Sequence, residues 1–454
     1  MISRIQRDLF RPSVQPGQDV PRAGADEPGL RVGAFEQTVE TSSGSAALCG
    51  TLPQTLTARA PLEVFELIID GMDQPTLAAA APVCTAWYPR AMSNLYSTIQ
   101  ICDRTSYNML FKQSRSSLRL KHWLATTREL MIEDAYYHRP HFLHALSLTM
   151  GRAMAGVRTL QLRFTRPLRR PDFFRGLSQS ESVNSLTLTN CMAPNVSLLS
   201  RIICAFPQLT EMTMQNVACY PSRSYATHTG GPHFQPRSES NIRLRRLNIS
   251  ADEGLMKRFL EWLVLSELST DLGDLTAEPD GDASVQSINE FLRAVGSSLT
   301  RYNERSFTCY GHSDLTHNTS LRSLGFPLIN IGFRRLLPDD WSRVTDELLG
   351  ILTTVRSCHL ECITIVAWFN VSKATDKDLR SRDVLKGLEL RNMHEVANQK
   401  YFDMLKDVQI EIHLRGVGHR GYRDPNSIGQ RIRAVFRGLL RPWFDRGIVE
   451  VSWD

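Results

Sequence analysis

The chain has 454 residues, 42% apolar and 22% charged, and its 53 Lys and Arg against 47 Asp and Glu leave a formal charge of +6. That length exceeds one compact core at about 100–200 residues per domain, so it predicts either several domains or one repeat array whose units pack only on their neighbours. The mild charge excludes the strongly basic class of nucleic-acid binders. Nine sparse cysteines with no Cys-x-x-Cys pair argue against a disulfide framework or a zinc ribbon and fit a reducing compartment. The first residues lack the apolar core of a signal peptide, and no stretch reaches the roughly 18 apolar residues of a membrane span. A soluble cytoplasmic or nuclear protein is expected.

Residues 1–55 mix Gly, Pro, Ser and scattered charge around two aromatics, Phe10 and Phe35, and read as a disordered leader. From Ala60 the character changes. The run to Ala91 predicts three short helices, Leu62–Asp70, Pro75–Ala81 and Cys84–Ala91, with Pro61 and Pro75 at first-turn positions and Asp73 as an N-cap. In the first helix Leu62, Phe65, Ile69 and Met72 form one apolar face and Val64, Leu67 and Ile68 a second, leaving Glu63, Glu66 and Asp70 as the only polar stripe. A helix apolar on two sides must bury two sides, and a unit below about 40 residues cannot enclose both. The second face requires the rest of the chain or another protein.

Beyond Tyr96 a repeat of the form apolar-x-x-apolar-x-apolar appears. It starts at Val157, Val183 and Leu209, with central residues Leu160, Leu186 and Met212 spaced by 26; Leu247 follows after 35, the excess being a loop insertion near 220–241. The same signature recurs at Thr127–Ile132, Leu321–Phe326, Leu360–Ile365 and Leu405–Ile410, and less well near Leu272 and Tyr302. Helical patterns lie between: Val196–Phe206, Gly254–Leu265, Val285–Val295, Val344–Val355 and Ile428–Phe444. Strand, helix and strand at such periods predict an α/β solenoid over 97–454, with parallel strands on its concave face and helices outside. The outward strand positions are polar throughout, and Gln161, Arg163, Thr187, Thr189, Thr213, Gln215, Arg246 and Asn248 are the candidates for contacting a target there.

The helical segment resembles an F-box. Pro61, Glu63, Val64, the run Leu67-Ile68-Ile69, Leu77, Val83-Cys84 and Trp87-Tyr88 stand at the family's spacing, while Ala60 and Met72 replace two of its leucines. The remainder resembles the irregular leucine-rich-repeat region of fungal F-box proteins, including a closing segment from Arg441 to Val451. The resemblance implies an F-box over 58–96 that docks a Skp-type adaptor, and through it a cullin–RING ligase, using Pro61, Leu62, Ile68, Met72, Leu77, Val83, Cys84 and Trp87. The repeats would hold a protein substrate for ubiquitination. The same eight residues also fit the core of a small helical domain, and an interaction scaffold without ligase activity stays open beside the substrate receptor.

Other patterns have plainer readings. His138, His141 and His144 are spaced to share a helical face, but Pro140 interrupts them and no fourth ligand is evident. Cys358, His359 and Cys362 read as a chance grouping, since Cys362 points away from the core residues Leu360, Ile363 and Ile365. Cys191 falls where leucine-rich repeats place Asn or Cys to bond a neighbouring loop. Arg243–Arg246 and the arginines from 415 to 446 offer phosphate contacts, although Arg431, Arg433, Arg437 and Arg441 also fit the outer face of an amphipathic helix that buries Ile432, Val435, Phe436 and Leu439. No phosphate-binding glycine loop, nucleophile elbow or zinc-protease motif occurs, so a non-catalytic chain without metal or cofactor is expected.

Overall fold

The structure, a computed structural model, describes residues 60–133, 153–163, 179–193, 195–219, 242–305, 311–331, 338–370, 381–388, 390–415 and 424–454. The expected leader, the insertion near 220–241 and His138, His141 and His144 lie outside the described residues.

Three helices open the described chain: α1 (Leu62–Asp70), α2 (Gln74–Ala80) and α3 (Tyr88–Ser97). Pro61 occupies the N-cap of α1, and the Asp73 carboxylate caps α2 by accepting from the Thr76 amide at 3.0 Å. The third helix corrects the expectation of Cys84–Ala91. Residues 81–87 form turns, and the helix begins at Tyr88 because Pro89 fits only a first turn, lacking the N–H and clashing with a preceding carbonyl anywhere deeper.

Helix α3 runs directly into β1 (Thr98–Ile101), followed by α4 (Arg104–Ser116), α5 (Leu118–Leu124) and β2 (Glu129–Glu133). The regular block then supplies β3 (Thr159–Arg163), β4 (Ser185–Thr189), the two-residue β5 (Met192–Ala193), α6 (Val196–Ile203), β6 (Glu211–Cys219) and β7 (Arg246–Ala251). Next come α7 (Glu253–Leu265), β8 (Asp274–Glu278), α8 (Asp282–Val295), β9 (Arg301–Glu304), β10 (Ser323–Ile331), α9 (Pro338–Leu352) and β11 (Cys362–Asn370). The chain closes with α10 (Ser381–Lys386), α11 (Leu390–Ala397), β12 (Asp407–Arg415), α12 (Pro425–Leu439), α13 (Arg441–Asp445) and β13 (Val449–Trp453). The expected single helix Ile428–Phe444 is thus two, broken at Leu440 because Pro442 restarts the backbone in a first turn.

All thirteen strands belong to parallel ladders, and twelve follow one another across the sheet in chain order. This is the α/β solenoid that the repeat predicts. Its register aligns the signature: Leu160 pairs with Leu186, Leu186 with Met212, Met212 with Leu247 and Leu247 with Leu275. Burial alternates along the repeat strands such as β3 and β4, so these residues enter one continuous core with helix residues such as Phe259, Phe291, Trp341 and Phe436. The weakly matching positions are strands as well, with Leu275 and Tyr302 in the core stack.

Two side-chain ladders stitch the loops. Cys191 Sγ lies 3.4 Å from the Leu162 carbonyl on the preceding repeat, the loop-bonding role expected of it. Asn190, just after β4, and Asn216, at the irregularity within β6, are both at positive φ (52° and 51°), and Asn216 Nδ2 donates to Asn190 Oδ1 at 2.7 Å. Asparagine tolerates this left-handed backbone better than most side chains.

Candidate interaction surfaces

The N-terminal helices have a small core of their own. Ile69, Leu77, Ala81 and Ala91 are buried, with Met72, Trp87, Tyr88, Met92 and Leu95 packed around them. Phe65 also turns inward and its ring centre lies 6.1 Å from that of Trp87. Asp70 clamps α1 to α3: it accepts from Arg90 Nε at 2.7 Å and Asn94 Nδ2 at 2.8 Å, and these bonds hold its carboxyl down at about 2.

Among the described residues the opposite side of the module is uncovered. Leu62, Val64, Leu67, Ile68 and Val83 are 53%, 43%, 72%, 51% and 48% exposed; Val64, Leu67 and Ile68 share one face of α1 as an apolar ridge, Leu62 stands in its first turn and Val83 in the turn after α2. Single exposed apolar residues need no explanation, whereas a contiguous ridge on a folded helix marks a contact site. The eight residues expected at an adaptor surface therefore divide. Pro61, Leu62, Ile68 and Val83 are exposed, Met72 and Trp87 are half-buried, and Leu77 and Cys84 are buried at 4% and 2% exposure. Leu77 and Cys84 are corrected to core residues beneath the surface. Leu62, grouped by periodicity with Phe65 and Ile69, joins the outer set instead, while Val64 and Leu67 belong to the ridge although the resemblance did not place them there.

No flexible joint separates module from solenoid. Tyr88, Met92 and Leu95 on α3 pack against both cores, and Tyr88 sits edge-on to Trp123 of α5 at 5.9 Å with the Arg119 guanidinium 4.5 Å above its ring. The ridge is consequently held at a fixed angle to the sheet.

The outward face of the sheet is the second surface. Gln161, Thr187, Thr213 and Asn248 stand in register on four adjacent strands, and Arg163, Thr189 and Gln215 form the neighbouring row. All are half-buried or exposed, as the alternation requires. Part of this polarity is satisfied internally. Gln161 donates to Glu129 at 2.6 Å, and Arg246 reaches Glu211 at 3.0 Å and Asp274 at 3.3 Å. Arg246 is thus paired on both sides, as is Asp274 with Arg246 and Arg301, so this arginine is not a free phosphate contact. Farther on, Arg433, Arg437 and Arg441 are exposed on the outer side of α12 and α13 while Ile432, Val435, Phe436 and Leu439 are buried, the solvated-face reading. Arg446 is structural: its guanidinium donates to the carbonyls of Phe402, Asp403 and Leu405 at 2.8, 3.1 and 2.7 Å.

A buried polar cluster interrupts the core at β9. Glu304, 3% exposed, takes a Leu-type position and accepts from the Ser313 amide at 3.2 Å and the Tyr302 hydroxyl at 3.3 Å, with His312 Nδ1 at 3.1 Å. Burial pushes the Tyr302 hydroxyl well above its ordinary pKa, and the Glu304 carboxylate adds to the rise. Cys358 is exposed and Cys362 stands half-buried on the outward row, its Sγ 3.8 Å from Asp407; burial raises the Cys362 thiol first, with Asp407 second. Among the described residues no group of three or more His, Cys, Asp and Glu is placed to hold a metal ion. No described helix is long and apolar enough to cross a membrane.

The fold and these surfaces define a parallel-strand α/β repeat protein with a three-helix module packed on its first repeat and an apolar ridge that no described residue covers. No family model matches the chain, and no curated protein matches it. Among solved structures it is similar to one titled the crystal structure of the Rad7 and Elc1 complex in yeast, at 13% identity and a TM-score of 0.31, covering 81% of this chain and 84% of that one. That likeness is too slight to carry an argument.

Proposed function

We propose that the chain is the substrate-recognition subunit of a Skp–cullin–F-box type ubiquitin ligase. In this reading the α1–α3 module is an F-box whose ridge docks a Skp-type adaptor, and the sheet face holds the target. The observation that carries it is the ridge: five apolar side chains, 43–72% exposed, four on α1 and Val83 in the turn after α2, while Phe65 and Ile69 of α1 are already buried. Its position agrees with the resemblance carried by Pro61, Val83-Cys84 and Trp87. Covering it would recover about 1 kcal/mol per half-exposed side chain, at roughly 1.5–3 kcal/mol for full burial of each.

The chain contributes no chemistry of its own here. Its part is proximity: the shared helix α3 fixes the angle between adaptor and target, which brings a target lysine to the ubiquitin carrier as an effectively intramolecular reaction. The test is reconstitution of ubiquitin transfer with adaptor, cullin–RING core and full chain, using proteins captured by the chain as targets. Chain-dependent ubiquitination of a captured protein supports the reading. Adaptor binding without any transfer leaves a scaffold without ligase activity, and no adaptor binding removes the F-box assignment.

A further inference from the structure

Towards its C-terminal end the sheet differs from its first repeats in both strand length and charge. Strands β10, β11 and β12 run nine residues each, as β6 does, against five in β2, β3 and β4, so three long strands lie side by side at this end. On its outward rows β12, β13 and the residue after β13 carry four carboxylates, Asp407, Glu411, Glu450 and Asp454, against one guanidinium, Arg415. The whole chain is +6, so this floor runs opposite to the molecule around it. Asp407 accepts from Gln409 at 2.8 Å and Asp454 meets His413 at 2.7 Å, but Glu411 and Glu450 have no cationic partner among the described residues.

A second feature is not acidic at all. Trp368 stands half-buried on the outward side of β11, where the earlier strands place Gln, Thr and Arg. The Arg415 guanidinium lies 4.2 Å above its ring and His413 stacks on it with ring centres 4.2 Å apart. The floor's own arginine thus marks an aromatic seat for a cation, the geometry in which a guanidinium or ammonium gains most from a ring. Adjacent carboxylates without partners would then take the neighbouring charges of the same ligand.

We infer that this end of the sheet face binds a Lys/Arg-rich extended segment of the target protein, with Trp368 as its aromatic contact and Glu411 and Glu450 as its charge contacts. The inference rests on the reading of the sheet as the target surface and is independent of what docks on the α1 ridge. Charge complementarity chooses the occupant: an acidic or phosphorylated segment would meet four carboxylates, and a nucleic acid likewise.

The test measures fluorescence anisotropy of the full chain with a labelled twelve-residue Lys/Arg-rich peptide and with its Glu-substituted counterpart, at low and high salt. The basic peptide is expected to bind at low salt and to be released at high salt, because exposed charges are screened beyond about 10 Å at 0.1 M. The acidic peptide should stay free. Glu411→Gln with Glu450→Gln should weaken the basic peptide about fivefold or more, at up to about fivefold per exposed pair, and Trp368→Ala should weaken it independently. Both glutamates are solvent-facing, so the double variant keeps its fold, checked by an unchanged circular dichroism spectrum. Equal binding of both peptides, no binding of the basic one at low salt, or unchanged affinity in the double variant would overturn the inference. An Ile68→Glu chain should bind the peptide as the parent does, so loss of adaptor binding there with peptide binding intact separates failure of the ligase reading from failure of this one.

Discussion

Ile68 and Ile69 are neighbours on α1 with opposite fates, 51% and 1% exposed, and the account requires them to fail in opposite ways. Ile69 sits in a small core with Leu77, Ala81 and Ala91, so Ile69→Ala removes about 2–5 kcal/mol from a module that has little to lose. The helices should open locally while the solenoid stays closed. Ile68→Ala takes nothing from that core, and alanine favours the helix slightly, so stability should stay within about 0.5 kcal/mol. Binding to a Skp-type adaptor should nevertheless fall, by about 1 kcal/mol or fivefold, for the half of the side chain left to bury. Ile68→Glu places a carboxylate against an apolar partner surface, where an unpaired charge costs several kcal/mol, and should lower affinity more than about 100-fold. Amide hydrogen exchange over residues 60–97 reports the first effect and surface plasmon resonance the second. If Ile68→Glu binds the adaptor within twofold of the parent, or if Ile68→Ala opens the module as Ile69→Ala does, the division of α1 into inner and outer faces is wrong.

Three further outcomes follow from single groups. Asp70 is held at about 2 by Arg90 and Asn94, below its ordinary 3.8, so its stabilisation is complete above about pH 4 and disappears as pH falls through about 2; an NMR titration should show that midpoint, and Arg90→Gln should return it toward 3.8. Arg446→Ala removes the donor shared by the carbonyls of Phe402, Asp403 and Leu405 at the turn before β12 and should destabilise the C-terminal repeats by about 1–2 kcal/mol in denaturant unfolding, with Lys a poor substitute because it lacks the fork; a change below about 0.5 kcal/mol would contradict the role. Glu304→Ala leaves the Ser313 amide and His312 buried without their acceptor and should raise amide exchange over residues 311–318, whereas Glu304→Gln, which keeps an acceptor oxygen, should raise it much less.

The repeat was legible because its two constraints coincide. Alternation puts Leu160, Leu162, Leu186 and Leu188 on one side of their strands, and the 26-residue spacing puts them side by side. The signal faded at β8 and β9, where Ala277 and Glu304 replace the expected large apolar residues; Glu304 is tolerated only because Tyr302, His312 and Ser313, the last two from a later loop, surround it. Helix boundaries missed at Cys84 and Leu440 carried a readable signal, Pro89 and Pro442, each of which admits only a helix start. Helices α4, α5, α10 and α11 were not anticipated, being short or outside the repeat phase. The two-sided character of α1 was evident from its apolar count, but which side stays bare depends on where α2 and α3 pack, so Leu62 fell into the wrong set and Leu77 and Cys84 into the wrong layer. Likewise the pairing of Arg246 with Glu211 and Asp274 spans 35 and 28 residues and exists only through the strand register.

The exposed apolar residues Leu62, Val64, Leu67, Ile68 and Val83 are the proposed adaptor-binding surface. Isothermal titration of the full chain with a purified Skp-type adaptor at several temperatures tests it most directly. The account predicts a one-to-one complex with a negative heat-capacity change, the mark of apolar burial, and its loss in Leu67→Glu with Ile68→Glu. No binding by the parent chain, or equal binding by the double variant, would contradict it.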